Sequence, residues 1–388
     1  VLVGSIKSGA IYNIRGNFAG LLYICIVFTT CSFLFPINAM AHLTSFTVEN
    51  FKRFEHFEMN NIGQFNLIVG DNNVGKTSVL EALLVDENSA KMRYSLLKVL
   101  TEYRGIEKLR ESFWRSFVRW AAWMKLPTTF FAPEFGEVVF TPDDGDYFSN
   151  YSPEESMLGE NVGYGNVFDI SNDKTLRFNG TLRYDGTGLV HVPYLPLFLG
   201  YSRDIAVVYS SYIQESKQNK QIIMKALETL IPDIENIEIN VAMAEEPTIV
   251  VWQKGNDFPA PLATFGDGTI KLFRILLNLF IHAKKRLMID EIEAGIHFGR
   301  MQVFFKIILQ TAFENNIQLF MTTHSRECLE IFKKVLEEPE MVQYQEKARC
   351  FTLIESKVTQ RVEAVCSTFA EFENAIETKT EIRGGAVA

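Results

Sequence analysis

The stretch that most constrains this chain is Gly70-Asp71-Asn72-Asn73-Val74-Gly75-Lys76-Thr77, set between the apolar run Phe65 to Val69 and the segment KTSVLEALLV at Lys76 to Val85. It matches G-x-x-x-x-G-K-[ST]. Glycines let the backbone wrap phosphate groups with its N–H donors, and a helix beginning at the lysine adds a favourable partial charge. On this reading Gly70, Asn72, Asn73, Val74, Gly75 and Ser78 cradle the phosphates, Lys76 reaches the β- and γ-phosphates, and the Thr77 hydroxyl is offered to Mg²⁺. Chance produces the pattern in a chain of this length roughly once in a hundred. The context lowers that figure, because the apolar run reads as a buried strand, and Val79, Leu80, Leu83 and Leu84 share one helical face.

Two further strands end in groups suited to the same chemistry. Leu287-Met288-Ile289 is apolar and runs into Asp290-Glu291, and Ile317 to Met321 runs into Thr322-Thr323-His324-Ser325. At the C-terminal edge of a parallel sheet, Asp290 falls near the metal and Glu291 near the water that attacks the γ-phosphate. His324 is placed to contact the γ-phosphate. Taken singly, an acidic pair after a short strand is common and a lone histidine more often satisfies local hydrogen bonds. The order of the three segments along the chain is what gives them weight.

The remaining pattern is that of an α/β chain. Strands are expected at Leu43 to Val48, Phe54 to Met59 and Phe65 to Val69. A helix is expected over Ile205 to Leu230, and two strands lie within Ile234 to Trp252 around Glu245-Glu246-Pro247. Helices at Ile270 to Ala283, Phe298 to Phe313 and Arg326 to Leu336 alternate with the two acidic and polar-tipped strands, which predicts a largely parallel sheet covered on both faces. Strands at Arg349 to Ile354 and Arg361 to Ala364 and a helix at Phe369 to Ile376 close the chain. Ala90 to Lys125 reads as helix, and Thr128 to Gly200 as short strands and loops.

The segments Phe265 to Arg274 (FGDGTIKLFR), Leu287 to His297 (LMIDEIEAGIH) and Thr322 to Ser325 (TTHS) resemble the ABC-type ATPases of the SMC and overcoming-lysogenization-defect group. Within that group they are most similar to compact bacterial AAA-family ATP-binding proteins without a C-terminal nuclease. The resemblance covers Leu43 to Val85 and about Leu195 to Arg383. It implies a P-loop NTPase of the ABC-ATPase head type, with a mostly parallel sheet flanked by helices, an N-terminal antiparallel β region and a long α+β insertion.

The expected layout is an extension at 1–41, an N-terminal lobe at 42–85, an insertion at 86–200 and a C-terminal lobe at 201–388. The resemblance further implies ATP and Mg²⁺ as ligands, Glu291 and His324 as catalytic groups, and Thr77 and Asp290 at the metal. It also implies a head-to-tail homodimer in which Gly266, Asp267 and Gly268 contact the nucleotide of the opposite subunit. Gly266 stands where transporters and SMC proteins place serine, so Thr269 or backbone amides must supply that contact. Glu293 to His297 would join the two sites across the dimer. Arg286 occupies a usually apolar place in its strand.

Composition sets the outer limits. The chain has 388 residues and a formal charge of −9, with a pI near 5.4, which argues against a surface coated for duplex DNA. Its five cysteines show no metal or disulfide spacing. A reducing cytoplasm fits best. Residues 1–39 contain Lys7 and Arg15 but no acid, with an apolar run from Phe18 to Phe35. The preferred reading is an artefact of the assigned gene start, since Met40 directly precedes the first strand. A signal-like segment or a membrane anchor at 18–35 is the alternative, and with it a transport-complex ATPase. Tyr103 to Lys125 interleaves six cations with Trp114, Trp120 and Trp123, which suits either nucleic acid or a partner protein, or a packed amphipathic helix. Only about sixty residues follow His324, so a nuclease fused in the same chain is disfavoured and any effector is expected to be a separate polypeptide.

Overall fold

The computed structural model describes residues 42–85, 95, 99, 128–134, 136–140, 163–170, 176–182, 192–197, 204–214, 216–241, 247–356 and 361–378. The chain divides into two units, Val1–Asn38 and Ala39–Ala388, and every described residue lies in the second. The expectations for residues 1–41 and for the tryptophan-bearing segment Tyr103 to Lys125 fall outside the described residues.

The chain opens with β1 (Ser45–Phe51), β2 (Phe54–Asn60), β3 (Phe65–Gly70) and α1 (Lys76–Ala82). Next come β4 (Thr128–Ala132), β5 (Gly136–Phe140), β6 (Gly163–Ile170), β7 (Leu176–Leu182) and β8 (Tyr194–Leu195). Then follow α2 (Asp204–Tyr209), α3 (Lys217–Glu228), β9 (Ile234–Asn240), β10 (Thr248–Gln253), β11 (Ala260–Pro261) and α4 (Asp267–Ile281). The last third holds β12 (Arg286–Ile289), α5 (Phe298–Glu314), β13 (Gln318–Thr322), α6 (Arg326–Leu336), β14 (Ala348–Glu355), β15 (Val362–Thr368) and α7 (Phe369–Glu377).

The central sheet has the order β15-β14-β3-β13-β12-β8. All its neighbours pair in parallel except β14 with β15, which are antiparallel. Its inner strands β3, β12 and β13 are buried on both faces because both faces are covered. Phe65, Leu67 and Val69 of β3, with Leu319 and Met321 of β13, pack with α4, α5 and α6 in one core. Ile68, Met288, Phe320 and Phe351 point the other way, into a second core with α1 and the β1–β2 hairpin. A second sheet, β2-β1-β4-β5, is antiparallel and carries that hairpin. The stretch expected as an insertion therefore supplies strands to both sheets, β4 and β5 to the antiparallel one and β8 to the parallel edge.

Buried polar side chains tie the two sheets together. The Gln318 amide accepts from Leu43 N (2.9 Å) and donates to the carbonyls of Leu43 and Gly63 (2.8 Å each). Asn66 closes the loop before β3 by accepting from Gly63 N (2.8 Å). Arg286, at the start of β12, is also buried, and its guanidinium donates to the Val85 carbonyl. That contact ties the chain after α1 to the sheet and accounts for a cation in an otherwise apolar strand, because an unpaired carbonyl there would be costly.

Two helices differ from the sequence reading. The helix after the glycine loop ends at Ala82 rather than Val85, with Leu83 as its C-cap. The single helix expected over Ile205 to Leu230 is three pieces: α2, a π-helical turn at Ser210–Gln214, and α3 with Ser216 as N-cap accepting from Asn219 N (3.2 Å). Apolar periodicity reports a buried face and is blind to a change of register made by one wide turn. Among the described residues no helix is long and apolar enough to cross a membrane.

Candidate active site

Because β3, β13 and β12 are adjacent and parallel, their C-terminal ends meet along one edge. β3 delivers the glycine loop there. Gly70 has φ 155°, and a side chain on it would meet Val74 Cγ1 at 2.8 Å and the Leu353 carbonyl at 2.9 Å. Gly75 sits at φ 114°, in the left-handed region, against the Phe54 ring. Both positions therefore require glycine. Asn73 also has a positive φ (63°), and Arg53 from the β1–β2 turn holds its carbonyl while pairing with Glu355 at 2.6 Å. Asp71, Asn72 and Asn73 are exposed, Val74 is buried beneath them, and Ser78 lies in the first turn of α1. Lys76 Nζ donates to the carbonyls of Gly70 (2.8 Å) and Asp71 (3.0 Å). Burial pushes its ammonium below the usual lysine value, opposed by the charges of Glu291, Asp290, Asp71 and Glu293.

The acidic strand-end arrives at the same place. Thr77 Oγ1 lies 3.0 Å from Asp290 Oδ2 across 213 residues of sequence. Asp290 is buried, and it also accepts from Thr322 Oγ1 (2.6 Å) and Tyr194 OH (3.3 Å). A buried carboxylate held by two further hydroxyls, beside the Thr77 oxygen, is a hard all-oxygen set, and this donor chemistry fits Mg²⁺. Glu291 follows in the left-handed region (φ 43°), with its N–H donating to Thr322 Oγ1 (2.8 Å). Its carboxylate is half-open to solvent, 3.7 Å from His324 Nδ1. His324 is also 3.6 Å from Glu293, whose carboxylate accepts from Thr323 Oγ1 at 2.7 Å.

Lys76, Thr77, Asp290, Glu291 and His324, read separately from three segments, thus share one sheet edge. This is an α/β P-loop ATPase fold.

Two family models match separate parts of the chain. Residues 42–155 of this P-loop ATPase match the family described as "AAA ATPase domain". Residues 212–330 match "AAA domain, putative AbiEii toxin, Type IV TA system". A Helicobacter pylori protein named "ATP/GTP phosphatase" is 25% identical over 351 residues, covering 79% of this chain and 92% of that protein. Among solved structures, an SMC head bound to the C-terminal winged-helix domain of ScpA aligns with TM-score 0.43 and 11% identity, covering 84% of this chain and 98% of the other. The SMC head domain from Thermotoga maritima aligns with TM-score 0.38 and 12% identity, covering 84% and 99%.

Gly266, Asp267 and Gly268 form the start of α4, where Gly266 has φ 88° and open space around it. Their neighbour is the turn after Glu291: a side chain on Gly268 would meet the Gly295 carbonyl at 2.4 Å. Three participants escaped the sequence reading. Thr322 lay inside a recognised segment without an assigned task, as did Lys271, which donates from α4 to the Glu291 carbonyl. Tyr194 sits on a two-residue strand that leaves no periodic signal.

Proposed function

We propose that the chain is an ATP-driven dimerising switch that binds ATP with Mg²⁺, hydrolyses it, and acts through a separate effector in phage defence or DNA repair. The approach of Thr77 to Asp290 carries the nucleotide part of this reading, since it makes one site from two distant motifs. In that site the loop amides and Lys76 bind the β- and γ-phosphates and neutralise their charge. Thr77 and Asp290 would hold Mg²⁺, which supplies charge neutralisation across the same phosphates when bound.

Glu291 orients a water in line with the γ-phosphorus and takes its proton as the new P–O bond forms. The bond to the bridging oxygen then breaks, leaving ADP and phosphate. His324 faces the γ-phosphate and Glu291 together. The exposed start of α4 is the surface offered to a second copy, so that ATP bound on one chain meets residues 266–268 of the other. The switch and its pathway rest on resemblance.

Lys76→Ala is expected to abolish ATP binding. Glu291→Gln is expected to retain binding while turnover falls by about 10²–10⁴-fold. Isothermal titration and phosphate-release assays read the two effects, and native turnover by Glu291→Gln would contradict the role given to that carboxylate.

A further inference from the structure

Glu291 is held in a backbone conformation that a non-glycine residue rarely adopts (φ 43°) and that persists only where neighbours enforce it. The enforcing contacts are visible on both sides of the residue. Ahead of it, Glu291 N donates to Thr322 Oγ1 at 2.8 Å, and the same hydroxyl donates to Asp290 Oδ1 at 2.6 Å. Behind it, the Glu291 carbonyl accepts from Lys271 Nζ, which reaches in from α4, one turn past Gly268.

We propose that Lys271 is a positioning residue of the hydrolytic site: by donating to the Glu291 carbonyl it fixes the strained peptide that aims the Glu291 carboxylate, and it fastens that aim to α4. This rests on the ATPase reading above.

Three observations support the assignment. Burial pushes the Lys271 ammonium down to about 8, against the opposing pull of Glu293, Asp290 and Glu291. A lysine is therefore kept in an unfavourable setting beside the site's three carboxylates, where an apolar residue would cost less. Glu293 Oε2 is buried with no hydrogen-bond partner among the described residues, so a cation nearby offsets a charge that hydrogen bonds leave half satisfied. Finally, the start of α4 is packed on the turn that follows Glu291, through the Gly268–Gly295 approach. A shift of residues 266–268 is thereby transmitted to Glu291 along two routes, of which the Lys271 contact ends on the catalytic residue itself.

The test compares Lys271→Met and Lys271→Arg with the unaltered chain, measuring titration with a fluorescent ATP analogue, steady-state hydrolysis and the urea midpoint. Lys271→Met is expected to keep ATP affinity and KM, while kcat falls by up to about 10²-fold as the carboxylate loses its aim. Lys271→Arg, which retains a cationic donor, is expected to recover most of that loss. Native kcat in Lys271→Met overturns the proposal. So does a parallel loss of affinity, kcat and urea midpoint that arginine does not restore, since that pattern marks a structural role alone. Should Lys271→Met fail to fold, Lys271→Ala, which likewise removes the donor to the Glu291 carbonyl, is expected to lower kcat at unchanged KM, and native kcat there again overturns the proposal. Failure of the unaltered chain to bind ATP, or native binding by Lys76→Ala, would instead sink the nucleotide site, and is distinguishable from any result at Lys271.

Discussion

At the scale of single residues, the site depends on backbone that only certain residues can follow. Gly75 at φ 114° faces the Phe54 ring at 2.9 Å from where a methyl group would stand. Gly75→Ala is therefore expected to destabilise the chain by about 1–3 kcal/mol and to weaken ATP binding in the folded fraction, as read by urea unfolding and calorimetry. Arg286 is a second such residue. Removing its guanidinium strands the Val85 carbonyl in the core, so Arg286→Met is expected to lower the urea-derived stability by about 1–3 kcal/mol while ATP affinity in the folded protein is retained.

The glycine, lysine and threonine of the loop were legible because phosphate chemistry demands those residue types at fixed spacing. Lys271 and Tyr194 were not. Each reaches the site by a contact to another element, 20 residues away for Lys271 and 96 for Tyr194, and neither identity nor periodicity encodes that contact.

At the scale of elements, the apolar strands and the long helices follow from their patterns, since burial on both sheet faces writes an unbroken apolar run and burial on one side writes a helical stripe. What periodicity cannot register is where a helix changes pitch or stops. Ser210–Gln214 continues the stripe of α2 while widening the turn, and Ser216 then starts α3 afresh. The two-residue strand β8 was invisible for the opposite reason, being too short to show a period. One contact between elements makes its own prediction. The α4 start and the turn at Gly295 approach so closely that Gly268→Ala forces backbone apart, and a cost of about 1–3 kcal/mol with reduced turnover is expected from unfolding and phosphate-release assays.

At the scale of the whole molecule, the sheet order places β3 between β14 and β13, so the first chemical motif of the chain is built into the middle of a sheet that, apart from the edge strand β8, is otherwise made from its last third. That placement is what brings Thr77 within 3.0 Å of Asp290. It was inferable from the motif order only by resemblance, because strand order depends on long-range pairing. The proposed switch predicts that Glu291→Gln with ATP elutes as a dimer in light-scattering chromatography and Lys76→Ala as a monomer.

The most direct measurement of the central claim is a double-mutant cycle on Mg²⁺·ATP binding with Thr77→Ala, Asp290→Ala and the pair, by isothermal titration. The account predicts that the two losses overlap by about 0.5–3 kcal/mol, and that chelating the metal removes the overlap. Additive losses within about 0.5 kcal/mol, with or without the metal, would contradict it.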